Sequence, residues 1–203
     1  MTARAVRRIA VLASGGGSNL QAIIDYFAAL GEQACGSVGL VASDRPGAGA
    51  LERARRHDIA VATLSDPADG SALCDLFQQH EVDLVALAGY LRLLPPRTVA
   101  AYRQRIVNVH PAPLPEFGGR GMYGRRVHEA VIAAGAVSSA VTVHFVDEEY
   151  DRGAVIARWP VPVRGDDTPD SLASRVLAAE HLVYPRVLDM VAALIPPRNP
   201  ASL

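Results

Sequence analysis

The sequence predicts an α/β fold: a single-domain, doubly wound, mostly parallel sheet with an antiparallel C-terminal extension. Three observations predict it. Short apolar runs rich in β-branched residues alternate with helical periodicity along most of the chain, the pattern of a parallel sheet covered by helices on both faces. The last two strand-like runs follow one another across an acidic turn, so they pair antiparallel. The 203 residues, 50% hydrophobic, fill one core and are short for two. The domain is placed at residues 1–195, with 196–203 as a frayed tail.

Residues 6–13 read as a buried central strand ended by Gly15, Gly16 and Gly17. Ser18 or Asn19 is positioned to cap the helix that follows, where Leu20, Ile23, Ile24 and Phe27 recur at helical spacing. A strand at 38–42, a helix at about 49–57, a short strand at 59–64, a helix near 71–80 and a strongly apolar strand at 84–88 continue the alternation. Residues 106–109 form another short strand and 123–134 a helix. Strands at 140–146 and 154–163 flank the turn DEEYDRG. Thr168 then caps a long closing helix that runs to about residue 194, with Pro169 in its first position and Asp170 near the positive end of its dipole.

The 20 basic and 21 acidic residues leave a net charge of −1, and no field gathers polyanions, so nucleic acid is not an expected partner. The apolar run after the basic start spans only residues 9–13, too short for a signal peptide or a membrane span. Cys35 and Cys74 form no CxxC pair, as suits a reducing compartment, and the cytoplasm is the expected location. Metal-ligand spacing is absent, so no metal is expected. Ser14 lies outside a G-x-S-x-G elbow, and neither cysteine has a basic neighbour that would make it a nucleophile.

Gly15-Gly16-Gly17-Ser18-Asn19 joins the first strand to the first helix, where bare backbone N–H groups and the helix dipole favour an anion. The segment departs from a dinucleotide fingerprint, whose third glycine falls on Leu20, and lacks the Gly-Lys-Ser/Thr end of a Walker loop. Two readings stand, a phosphate cradle and a tight turn needing positive φ; the carboxyl end of a strand is where ligands of open α/β sheets collect.

Asn108 and His110 are two apart on a strand and share one face. An amide N–H and a protonatable imidazole aimed at one spot suit a tetrahedral oxyanion; a histidine satisfied within the core is the other reading of His110. Pro111, Pro113 and Pro115 end the strand. Asp147, Glu148, Glu149 and Asp151 crowd one turn, either as a solvated acidic loop or as a source of one carboxylate for a histidine. His144, on the strand that leads into this turn, supports the site from behind or serves the fold.

Four blocks, GGGSNLQAIID, SDRPGAGALERA, DLVALAGYLRLL with RIVNVHPAPLP, and VTVHFVDEEYDRGAVI, together resemble the glycinamide ribonucleotide (phosphoribosylglycinamide) formyltransferase family over nearly the whole chain. The resemblance implies the formyltransferase fold, with ribonucleotide binding in the N-terminal half and folate binding and catalysis in the C-terminal half. It implies transfer of the formyl group of 10-formyltetrahydrofolate, a co-substrate, to the amine of glycinamide ribonucleotide in purine biosynthesis, by a monomer or homodimer. By the same matching, Asn108, His110 and Asp151 are the catalytic trio, with Asp151 keeping His110 protonated. Gly16, Gly17, Ser18, Asn19 and Glu180 hold the ribonucleotide. Leu91, Arg92, Leu93 and Leu94, with Asn108, Val146 and Asp147, meet the folate.

The loop PEFGGRGMYGRRVHEAVI is longer than in the shorter family form, and no site residue is assigned between Glu116 and Arg126. Where the family can place an arginine before the third helix, this chain reads Ser65-Asp66-Pro67-Ala68-Asp69-Gly70, and Leu177 takes a helix position that is often polar. The rivals are a methionyl-tRNA formyltransferase, a 10-formyltetrahydrofolate hydrolase, and a non-catalytic nucleotide-binding protein that uses the glycine turn alone.

Overall fold

The computed structural model describes residues 6–197, so part of the tail expected at 196–203 lies outside the described residues. In chain order the elements are β1 (Arg7–Leu12), α1 (Ser18–Leu30), β2 (Gly36–Ser43), α2 (Gly49–Arg56), β3 (Ala60–Thr63), α3 (Gly70–Gln79), β4 (Leu84–Leu87), α4 (Pro96–Ala101), β5 (Ile106–His110), α5 (Arg125–Ala133), β6 (Ser138–Phe145), β7 (Val155–Pro162) and α6 (Pro169–Leu194). Among the described residues, seven strands form one sheet in the order β3-β2-β1-β4-β5-β6-β7. The first five run parallel, and β6 and β7 extend the sheet antiparallel, as the sequence predicts.

Both faces of β1 are covered, because its side chains alternate between two buried layers. Ile9 and Val11 pack with Leu20, Ile23 and Phe27 of α1 and with α6, whereas Ala10 and Leu12 pack with Leu73 and Phe77 of α3. The strand order reverses direction at β1 and β4, and the crevice at their carboxyl ends is where such sheets receive ligands. Tyr184 of α6 ties that region together, its hydroxyl lying 3.0 Å from the carbonyl of Leu87 and 2.8 Å from that of Val107.

Three differences from the sequence reading bear on the site. The cap of α1 is Gly17, in the left-handed region at φ 76°, and neither Ser18 nor Asn19 caps the helix through its side chain. Gly17 has to be glycine twice over, since a Cβ there would also stand 2.8 Å from the Ala50 Cα. The short helix α4 is unforeseen, and the helix expected from residue 123 begins at Arg125, after Gly124 at φ 59°. At α6 the expectation holds: Thr168 and Ser171 cap one another reciprocally, with Pro169 inside the first turn.

Candidate active site

The cleft forms where β1, β4 and β5 end and where the turn after β6 folds back over them. Its cavity has a volume of about 420 Å³, in the range of small-molecule sites. On β5 the period of two turns Asn108 and His110 to the same side, and the antiparallel register sets His144 of β6 directly opposite Asn108. Asp151 comes from the turn between β6 and β7, where its own backbone takes the left-handed conformation at φ 58°, one that aspartate tolerates better than most residues. That turn closes tightly, because Gly153 lets the chain pass where a Cβ would fall 1.8 Å from the Phe145 carbonyl oxygen.

Asp151 is the hub. Its Oδ2 lies 3.6 Å from His110 Nδ1 and accepts a hydrogen bond from the Gly119 amide at 3.0 Å. Its Oδ1 lies 3.6 Å from His144 Nε2 and 3.5 Å from the Asn108 Nδ2 that donates to it. His144 Nδ1 stands 2.8 Å from the Phe145 carbonyl, which can only accept, so Nδ1 carries a hydrogen, and Nε2 stands 3.0 Å from Asn108 Nδ2. By the same logic His110 donates from Nε2 to the Phe117 carbonyl at 2.8 Å. Its Nδ1 therefore faces the carboxylate.

Opposing electrostatic effects meet at His110. His110 is only 3% exposed, and burial pushes its pKa down. The Asp151 charge and the Phe117 hydrogen bond push it up, the His144 ring pushes it down, and the net lies below the ordinary 6.5. Asp151 thus favours the imidazolium and burial disfavours it, burial being the larger of the two effects. For Asp151 itself burial pushes the carboxyl up, but the His144 and His110 rings and the Gly119 amide outweigh it and hold the group below the usual carboxylate range.

At the glycine-turn end of the cleft, Asn19 Nδ2 donates to Glu180 Oε2 at 2.7 Å, while Asn19 Oδ1 is buried with no partner among the described residues. Burial raises the Glu180 carboxyl to about 7 in spite of that hydrogen bond. With Gly17 as the cap, no side chain among the described residues occupies the first-turn amides of α1, which can receive an anion. Arg53 braces the turn from behind, donating from Nε to the Gly16 carbonyl at 2.7 Å.

Of the residues singled out from the sequence, Asn19, Glu180, Asn108, His110, His144 and Asp151 line one cavity, together with Leu91, Arg92, Leu93, Leu94 and Val146. Gly16, Gly17, Ser18 and Asp147 are not in its lining; the first three precede Asn19 at the turn, and Asp147 Oδ1 accepts from the Glu149 amide within its own loop. The loop left unassigned does belong to the site: residues 119–124 line the cavity, and Phe117 and Gly119 bind His110 and Asp151. Its glycine density, GGRGMYG, was the available signal, and Gly119, Gly121 and Gly124 all take positive φ. Tyr90 and Tyr150 also line the cavity, unmarked by any motif in the sequence. No group of three His, Cys, Asp or Glu residues able to hold a metal occurs among the described residues, and no helix there is long and apolar enough to cross a membrane.

A model of the formyl transferase family matches residues 7–188. The chain is 42% identical over 192 residues to a chloroplastic phosphoribosylglycinamide formyltransferase of Arabidopsis thaliana, covering 91% of this chain and 65% of that protein. It therefore spans less than two thirds of that relative's length. To the phosphoribosylglycinamide formyltransferase of Escherichia coli it is 40% identical over 190 residues, covering 91% of this chain and 86% of the other. The crystal structure of glycinamide ribonucleotide transformylase 1 from Symbiobacterium toebii superposes with a TM-score of 0.84 at 38% identity, covering 95% of this chain and 92% of that one.

Proposed function

The chain belongs to the formyl transferase family, and from that premise we propose that it moves the formyl group of 10-formyltetrahydrofolate to the amine of glycinamide ribonucleotide, a step of purine synthesis. One observation carries the reading: Asn108, His110 and Asp151 meet at the base of a cleft that has an anion-ready helix start with Asn19 and Glu180 on one side and an apolar wall on the other. The wall suits a flat pterin, since Leu91 and Leu93 are 38% and 42% exposed into an otherwise sheltered site. The enzyme so read uses two small molecules and neither metal, nucleic acid nor membrane. It works as a monomer or homodimer in the cytoplasm.

The co-substrate supplies the formyl carbon. As the ribonucleotide amine attacks it, negative charge develops on the formyl oxygen and positive charge on the attacking nitrogen. His110, whose Nδ1 faces Asp151, forms with that carboxylate the pair able to relay the proton that this nitrogen sheds. The imidazolium charge, paired with Asp151, then stabilises the oxyanion through space, together with the Asn108 amide dipole. Return of that proton to the folate nitrogen accompanies cleavage of the old carbon–nitrogen bond, so the ring ends as it began. His144 orients Asn108, and Gly119 orients Asp151.

The assay is purified protein with both substrates beside a control that lacks the amine. Tetrahydrofolate should form only when the amine is present, whereas formation without it would make the protein a hydrolase. His110→Ala should abolish transfer and leave ribonucleotide binding largely intact. Near wild-type turnover in that variant would overturn the mechanism.

A further inference from the structure

The block SDRPGAGALERA contributes a carboxylate that no step of the proposed reaction uses. Asp44 follows β2, and its side chain is 1% exposed. The Oδ1 atom accepts from the Ser14 hydroxyl at 2.6 Å, and that hydroxyl accepts in turn from the Leu91 amide at 3.1 Å. The Oδ2 atom accepts from Arg92 Nε at 3.2 Å, with Arg45 Nε 4.0 Å away. Ser14, Asp44 and residues 90–92 stand at the carboxyl ends of β1, β2 and β4, three strands adjacent in the sheet. One buried carboxylate thus joins three loops.

Burial pushes the Asp44 carboxyl up, but hydrogen bonds from Ser14 and Arg92 and from its own amide, with the Arg45 charge, outweigh it and keep the group ionised. Such a charge is retained only where its partners satisfy it. With the Leu91 N–H turned to Ser14, the trans peptide sends the Tyr90 carbonyl the opposite way, so the chain Asp44–Ser14–Leu91 sets the orientation of this peptide plane. Arg92, 65% exposed along its side chain, is fixed at its Nε end by the same carboxylate.

We propose that Asp44 is a positioning residue for the folate side of the cleft: through Ser14 and Arg92 its buried carboxylate holds residues 90–92 in the conformation against which the folate binds. The inference rests on the formyl-transfer reading for the identity of the ligand. Asp44→Ala frees both partners at once. Asp44→Asn keeps the volume and an acceptor for Ser14 but loses the ion pair to Arg92.

The test measures KM for each substrate and kcat in wild type, Asp44→Asn, Asp44→Ala, and Asp44→Ala combined with Ser14→Ala. Asp44→Ala should raise the KM for 10-formyltetrahydrofolate about tenfold, equivalent to about 1.4 kcal/mol, and leave the ribonucleotide KM and kcat within about twofold. Asp44→Asn should show a smaller rise in the same constant. The double variant should be no worse than Asp44→Ala, because both residues act through one chain of contacts. Calorimetric titration with tetrahydrofolate alone reads the same comparison without turnover, so a wild type that binds the folate but transfers nothing would sink the formyl-transfer reading and leave Asp44 testable. If Asp44→Ala does not fold, Asp44→Asn carries the test. An unchanged folate constant in every soluble variant, or an equal rise for both substrates, would overturn the proposal.

Discussion

Replacing Glu180 by glutamine should stabilise the protein at alkaline pH while weakening its hold on the ribonucleotide. Burial raises this carboxyl from 4.5 to about 7, opposed by the Asn19 hydrogen bond. At about 1.4 kcal/mol per pKa unit, that gap corresponds to about 3 kcal/mol of folding free energy. A raised carboxylate pKa means that the folded state binds the proton more tightly than the unfolded chain. Its contribution is therefore complete below pH 4.5, is lost as pH rises from 4.5 to about 7, and stays lost above that. Glutamine keeps an acceptor for Asn19 and has no charge to desolvate. Thermal unfolding of both proteins at matched ionic strength should show nearly equal Tm values at pH 4.5. By pH 8 the glutamine variant should melt about 6–12 °C higher, at roughly 2–4 °C per kcal/mol for a chain of this size. In the proposed reaction the ribose hydroxyls lose an acceptor that is charged above about pH 7, so at pH 8 the ribonucleotide KM should rise about tenfold. A Tm difference that does not change with pH, or a variant less stable than wild type at pH 8, would refute the reasoning.

Asp151→Asn removes the charge 3.6 Å from His110 Nδ1, a pairing whose Coulomb value at an effective dielectric constant of about 20 is roughly 4–5 kcal/mol and bounds the effect at about three pKa units. The His110 ring, followed by NMR across pH, should titrate at least about one unit lower in the variant, and turnover should fall about a hundredfold or more; an unmoved midpoint counts against the pairing. Gly17→Ala forces a side chain into the left-handed region and sets its Cβ 2.8 Å from the Ala50 Cα, so the α1 turn must shift. The ribonucleotide KM should rise at least about tenfold with the folate KM within about twofold, and equal losses for both substrates would indicate general unfolding instead.

Much of this architecture was legible because its cause is local. The two-sided burial of β1 from Ile9 onward is written in the apolar run at 9–13, and the shared face of Asn108 and His110 follows from a period of two. Asp151, by contrast, was one of four acids in a turn until the family resemblance selected it. Helix α4 escaped because its six residues after Pro95 are too few to show periodicity, although Thr98 and Val99 are buried. The loop at 117–124 escaped for another reason: it contributes to the site through backbone, the Phe117 carbonyl and the Gly119 amide, and backbone groups leave no trace in residue type. Asp44 reads as an ordinary polar residue at a strand end, and only the stacking of three loops reveals it as buried.

The protonation of His110 is the sharpest case, because two correct local rules point in opposite directions. A carboxylate 3.6 Å away favours the imidazolium, and a ring 3% exposed disfavours it. Which prevails depends on the water excluded by Phe117 and the strands around it, a property of the assembled cleft. Burial is the larger of the two effects. With Nε2–H given to the Phe117 carbonyl, Nδ1 faces the carboxylate of Asp151, and a proton on that nitrogen makes the two an ion pair. In the proposed reaction the attacking amine has one proton to lose, and this pair is placed to carry it as negative charge develops on the formyl oxygen.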